Sequence, residues 1–235
     1  LETAKEAQLD SLARQKRVTY HQIQYEKVCT PISNFMFAQA LNAIQAEDST
    51  KTPQEYKEYI SHFTKHLELA KKGKEQIIKA ILKNNKLDII EPRNGKRGFL
   101  QSANEKEIVL TIQSRGERIP NKYSWEEFLT PDLYLDFITS IGLDANAPET
   151  QSIVFLQLSA QTAKNLRLVH KEVEIASIAN ENVMKWLNVF SSTQLSPFLN
   201  NEYQSLALTQ SALEKIISGE FYAAMQFMDE LIKKM

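Results

Sequence analysis

The feature that most constrains this chain is an island of β character at residues 86–123, set between flanks that read as helix. Leu87-Asp88-Ile89 alternates, and Pro92-Arg93-Asn94-Gly95 is a strong turn signal. A second strand opens at Phe99-Leu100, and Ala103-Asn104-Glu105-Lys106 turns again. Ile108, Leu110 and Ile112 then occupy one face of a third strand, the period-2 pattern of a half-buried sheet. Ser114-Arg115-Gly116 is the next turn, and the strand Arg118–Tyr123 contains Pro120, which confines it to a sheet edge. Ser124 with Glu127 three residues later forms a capping box, starting a short helix whose Trp125 and Phe128 plug the open end of a small barrel or curled sheet. A unit of this size buries too little surface alone, so it must lean on the helices. The expected fold is therefore mostly α (α+β): helical hairpins or a bundle with a small antiparallel insertion. Three regions follow: helical 1–85, a β module 86–128 and helical 129–235.

Residues 2–29 are rich in helix formers with a thin apolar stripe, and Thr30-Pro31 is expected to stop that helix. Ser33 fits the N-cap of a helix at 34–47, with Phe37, Ala40, Leu41 and Ile44 as its buried face. A long helix follows at 53–83. Tyr56, Ile60, Phe63, Leu67, Ala70, Ile77 and Ile81 form a heptad seam with one polar interruption at Lys74, and Gly73 beside it marks a bend. The seam suits an antiparallel bundle; a coiled coil between chains is the other reading. Beyond the β module, helices are expected at 131–141, 148–160, 162–180, 182–191, 197–217 and 219–234. Gly219 makes a tight hairpin of the last two.

The net charge of −1 gives no global attraction to nucleic acid or anionic membrane. Residues 51–98 hold twelve Lys/Arg against six Asp/Glu, whereas 126–160 hold six Asp/Glu and no Lys or Arg. Two such segments suit mutual facing or solvated surfaces; a polyanion-binding face on the basic segment is the sharper alternative. The apolar runs are too short for a transmembrane helix, so no membrane insertion is expected, and no signal peptide is recognisable. The chain opens at Leu1 within a helical pattern, which reads as a processed product or an excised piece.

No recognised catalytic or cofactor motif is present, and no cofactor is expected. The single cysteine, Cys29, excludes a disulfide within the chain and reads as structural. Glu58, His62 and His66 share a helix face, a geometry that a metal would accept, but nothing nearby supplies the remaining ligands. Solvated flank positions are the simpler reading of both histidines. Asn94-Gly95-Lys96-Arg97-Gly98 joins two strands and lacks the Ser/Thr of a phosphate loop, so it reads as a hairpin. Lys96, Arg97, Arg115 and Arg118 form a basic rim on the sheet, with Tyr123 and Trp125 either as stacking aromatics for a single strand or as core and capping residues.

Asn34-Phe35-Met36-Phe37-Ala38-Gln39-Ala40-Leu41 and Gly219-Glu220-Phe221-Tyr222-Ala223-Ala224-Met225 each resemble the first helix of a tetratricopeptide-type hairpin, without its full repeat. The layout, with Tyr-Ser-Trp-Glu-Glu-Phe at 123–128, resembles accessory regions of large multidomain bacterial proteins, including those attached to serine/threonine kinases. That resemblance implies a non-enzymatic interaction or scaffolding segment with a protein or peptide partner, bound in a groove between helices or on the exposed face of the β island. The alternatives are nucleic-acid binding through the basic 65–97 region and the β rim, or an enzyme whose site is scattered beyond motif reading.

Overall fold

The computed structural model describes residues 25–46, 57–84, 87–90, 95, 97–114, 117–169, 183–186 and 189, with isolated positions 211, 215 and 226. The expected helices 182–191, 197–217 and 219–234, and the second tetratricopeptide-like segment, lie largely or wholly outside these residues. The fold is mostly α with a small four-stranded antiparallel sheet, as the β island requires.

A π-helical turn, Tyr25–Cys29, runs directly into α1, Thr30–Ser33. Pro31 therefore does not stop the helix. It sits in the first turn of the α segment, and the wider π turn before it accommodates a ring that would clash in a regular α-helix. The reversal comes at Asn34–Met36 instead. The Met36 N–H donates to Pro31 O and the Phe35 N–H to Ile32 O, both at 2.8 Å, which is a Schellman corner. The position that such corners reserve for glycine is filled by Phe35, at φ 57°. Ser33 thus ends α1 rather than capping the next helix. α2 spans Phe37–Gln45 after Met36, and the expected face Phe37, Ala40, Leu41 and Ile44 is buried.

α3, Lys57–Lys83, runs unbroken through Gly73. Phe63, Leu67, Ala70, Lys74, Ile77 and Ile81 are all buried within the chain, so the heptad seam is used internally. Gly73 permits a close helix crossing: a Cβ there would stand 2.9 Å from Glu149 O. The partner is α6, Pro148–Val169, which runs antiparallel to α3, since Gly73 meets Glu149 while His66 meets Ser152 and Phe155. The expected break in α6 near 160–162 does not occur. Ser159 Oγ bonds back to Phe155 O at 2.8 Å, so its hydroxyl is satisfied without leaving the helix. Lys72 and Glu149 pair at 2.7 Å across this crossing, joining the basic and acidic segments.

The sheet is a meander of β1 (Asp88–Ile90), β2 (Arg97–Ala103), β3 (Glu107–Ser114) and β4 (Glu117–Ser124), in that spatial order. Its inner face carries Leu100, Ala103, Ile108, Leu110, Ile112 and Tyr123 into the core. Leu100 and Ala103 are an odd number of residues apart, and both point inward because the β2–β3 register shifts between Leu100 and Ser102. Such a bulge re-aims the strand after it. Pro120 lies on the edge strand β4, where its missing N–H need cost no ladder bond.

The capping box is formed as expected. Ser124 Oγ accepts from Glu127 N, and Ser124 N donates to Glu127 Oε2. It opens α4, Trp125–Phe128, followed by α5, Pro131–Ser140. Trp125, Phe128, Tyr134 and Phe137 continue the same core that holds the α1–α2 corner and α6.

Candidate functional site

Two places on this fold concentrate chemistry: the outer face of the sheet and the buried junction beneath it. The outer face follows from the register. Asp88, Phe99, Thr111 and Pro120 pair in one row across the four strands. Phe99 is 44% exposed, a large aromatic left in solvent at the centre of this face. Gly98 pairs with Ile112 and Gln113 with Arg118, so Arg97 and Arg118 flank Gln113 at one end of the outer face. Val109 pairs with Lys122 toward the other end. Thr111 Oγ1 donates to Gln101 Oε1 at 2.9 Å, tying neighbouring strands on this side.

The basic rim is partly neutralised by its own strand neighbours. Arg97 Nη1 stands 3.2 Å from Asp88 Oδ2, and Lys122 Nζ 2.8 Å from Glu107 Oε1. Pairs this exposed contribute about 0–1 kcal/mol to stability, but they reduce the positive potential offered to a polyanion. Lys96 and Arg115 lie outside the described residues. Tyr123 and Trp125 are each 1% exposed, on the other side of the sheet from the cations. They are core residues here, and neither presents a ring for a base to stack on.

Trp125 belongs to the junction. Its Nε1 donates to Asn104 O at 2.9 Å, and Lys74 Nζ lies 4.8 Å from the centre of its ring. The polar interruption in the heptad seam is thus a buried ammonium. Lys74 Nζ donates to Phe35 O at 3.0 Å and to Glu105 O at 2.6 Å, and the Glu105 carboxylate is 3.3 Å away. Burial pushes the Lys74 pKa below its ordinary value, and Glu105 offsets part of that. The arrangement satisfies an ammonium's three donors and adds a cation–π face.

His66 is buried rather than a solvated flank residue. Its Nδ1 is 3.2 Å from Ser152 Oγ, and its ring stacks on Phe155 at 4.3 Å between centroids. Both His66 and Ser152 are 1% exposed, so this Ser–His contact holds α3 to α6 and offers a substrate no approach to the hydroxyl. Among the described residues, no group of three or more His, Cys, Asp or Glu is placed to hold a metal. The side chains of Glu58 and His62 fall outside that description. Cys29 is a free thiol whose pKa burial raises to about 11, the reverse of an activated nucleophile. Burial likewise raises the Tyr134 hydroxyl, which donates to Thr150 O at 3.1 Å.

No helix among the described residues is long and apolar enough to cross a membrane. The chain matches no protein-family model, no curated protein and no solved structure.

Sequence reasoning took His66 for a solvated flank position, and it gave no sign of the left-handed corner at Phe35 or of the exposed ring of Phe99. Only His66 carried a usable signal: it is adjacent to Leu67 and in step with Phe63 and Ala70, which places it at the margin of the apolar seam.

Proposed function

We propose that this chain is a non-enzymatic protein-interaction segment and that its partner docks on the exposed face of the β module. The observation that carries the reading is the outer-face row of exposed Phe99, half-buried Thr111 and exposed Pro120, bordered by Arg97 and Arg118 at one end and Lys122 at the other. An apolar centre with a polar rim is the usual anatomy of a protein interface. The inward side chains of β2 and β3 are committed to the core, so the outer face can be occupied without unfolding the module.

The neutralising Asp88 and Glu107 favour a protein or peptide over nucleic acid, as does the burial of Lys74, which removes one cation from the basic segment. The ionisable groups drawn into the interior, Lys74 and His66, are engaged by backbone carbonyls and packed rings, which supports a structural use of both.

The test compares wild-type chain with Phe99→Glu as bait in extracts of the source organism. A partner recovered in stoichiometric amount with wild type and lost with the variant, whose circular dichroism is unchanged, is the expected result. Equal recovery by both baits would overturn the docking face. A labelled single-stranded oligonucleotide bound with steep salt dependence would favour the nucleic-acid reading.

A further inference from the structure

The junction around Lys74 joins two elements that pack on the same core and links them directly through one polar group. On one side is the α1–α2 corner, where Phe35 holds φ 57° at a position suited to glycine. A bulky residue in this region is strained, and it persists only where its surroundings over-determine it. Phe35 is 2% exposed, packs edge-on against Phe37 at 5.9 Å, and gives its carbonyl to Lys74. On the other side is the β2–β3 hairpin. Asn104 Oδ1 accepts from Lys106 N at 2.8 Å and from Glu107 N at 3.0 Å, fixing the turn. That turn presents two successive carbonyls inward, Asn104 O to Trp125 and Glu105 O to Lys74.

We propose that Lys74 is a two-sided latch that couples the sheet hairpin to the strained Phe35 corner. One ammonium closes both sides. Its stem is fixed in the α3 seam between Ala70 and Ile77, so it does not follow either side when that side moves. Lifting the hairpin withdraws the Glu105 carbonyl and carboxylate and leaves a buried cation with the Phe35 carbonyl and the Trp125 face. A cation so exposed to incomplete solvation is costly, and it is relieved by admitting water at the junction, which loosens its hold on Phe35. The corner then loses a constraint on its left-handed residue and relaxes. The β2–β3 turn at Asn104–Glu107 and the α1–α2 corner therefore open together, while the body of the sheet stays paired, although Phe35 and Glu105 are seventy residues apart in sequence.

Hydrogen exchange followed by mass spectrometry on the full chain tests this through a residue that touches neither Phe35 nor the Lys74 side chain in the hydrogen bonds above. Asn104→Ala removes the acceptor that shapes the hairpin. The expected result is exchange at Met36, Gln39 and Ala40 faster by about fivefold or more, comparable to losing one net hydrogen bond, with Leu110 and Ile112 unchanged. Lys74→Met cuts the link, so adding Asn104→Ala to that background should leave the corner unaffected. Unchanged exchange at the corner in Asn104→Ala overturns the latch, and this single variant decides the matter even if Lys74→Met fails to fold. Equal acceleration at Leu110 and Ile112 also overturns it, because that pattern is general destabilisation. So does an effect of Asn104→Ala that survives in the Lys74→Met background.

Discussion

Gly73→Ala sets two simple effects against each other. Gly73 lies inside α3, and replacing an interior helical glycine with alanine stabilises an isolated helix by about 1 kcal/mol. Packing opposes this. The added Cβ would lie 2.9 Å from Glu149 O and 3.1 Å from both Glu149 C and Ile153 Cδ1. Ordinary contact begins at 3.4 Å, so the crossing must open by 3.4 − 2.9 = 0.5 Å against backbone, which has no rotamer to change. Overpacking costs about 1–3 kcal/mol, and against unyielding backbone with the Lys72–Glu149 pair beside it the upper part of that range, about 2–3 kcal/mol, applies. The net expectation is destabilisation of about 1–2 kcal/mol, the opposite sign to propensity, which at this chain length lowers Tm by about 2–8 °C. Urea unfolding and a thermal scan of wild type and variant measure it. A variant as stable as wild type, or more so, would refute the close antiparallel crossing of α3 and α6.

Other expectations rest on single residues. Lys74→Met keeps the apolar stem and removes a charge that burial disfavours, whereas Lys74→Ala adds a cavity, so the methionine variant should be more stable than the alanine one by about 1–3 kcal/mol in urea unfolding. The folded-state pKa of Lys74 lies below its ordinary 10.5, so between the two values the unfolded chain holds a proton that the folded chain has released. Stability from this group therefore rises with pH through that window, and Lys74→Met should abolish the rise. Ser124→Ala removes the capping box of α4 and should cost about 1 kcal/mol, measured as a shift in the urea midpoint. Raising the Cys29 pKa from 9.0 to about 11 lowers its thiolate fraction at pH 8 about a hundredfold, so a thiol reagent should modify the native chain far more slowly than the urea-unfolded one.

The parts of this fold that could be read in advance are those set by local chemistry. Period-2 alternation at Ile108, Leu110 and Ile112 specified a strand and its buried face, and Pro120 specified an edge. Ser124 with Glu127 marked a helix start because both capping partners are close in sequence. The heptad seam was legible too, with Lys74 in register although polar. What escaped depends on distant partners. Thr30-Pro31 looked like a stop because a proline's effect on a regular helix is local, whereas the Tyr25–Cys29 segment before it is a wider π turn that tolerates the ring. Phe35 gave no sign of a left-handed corner, since its aromatic ring is held by tertiary packing and its carbonyl by Lys74. Gly73 suggested a bend, but its purpose is set by Glu149 on another helix. Of the surface residues proposed for binding, Arg97 and Arg118 do share the outer face. Tyr123 parts from them because Ile108 opposes it in the register and carries it inward, and Trp125 turns inward just past the strand end.

Photo-cross-linking in cells of the source organism tests whether a partner docks on the outer face of the sheet. A benzoylphenylalanine replaces Phe99 on the outer sheet face in one variant and the exposed Lys65 of α3 in another. The expected result is a discrete cross-linked protein species from position 99 that position 65 does not give. Cross-links of equal yield from both positions, or none from position 99 while position 65 captures a partner, would contradict it.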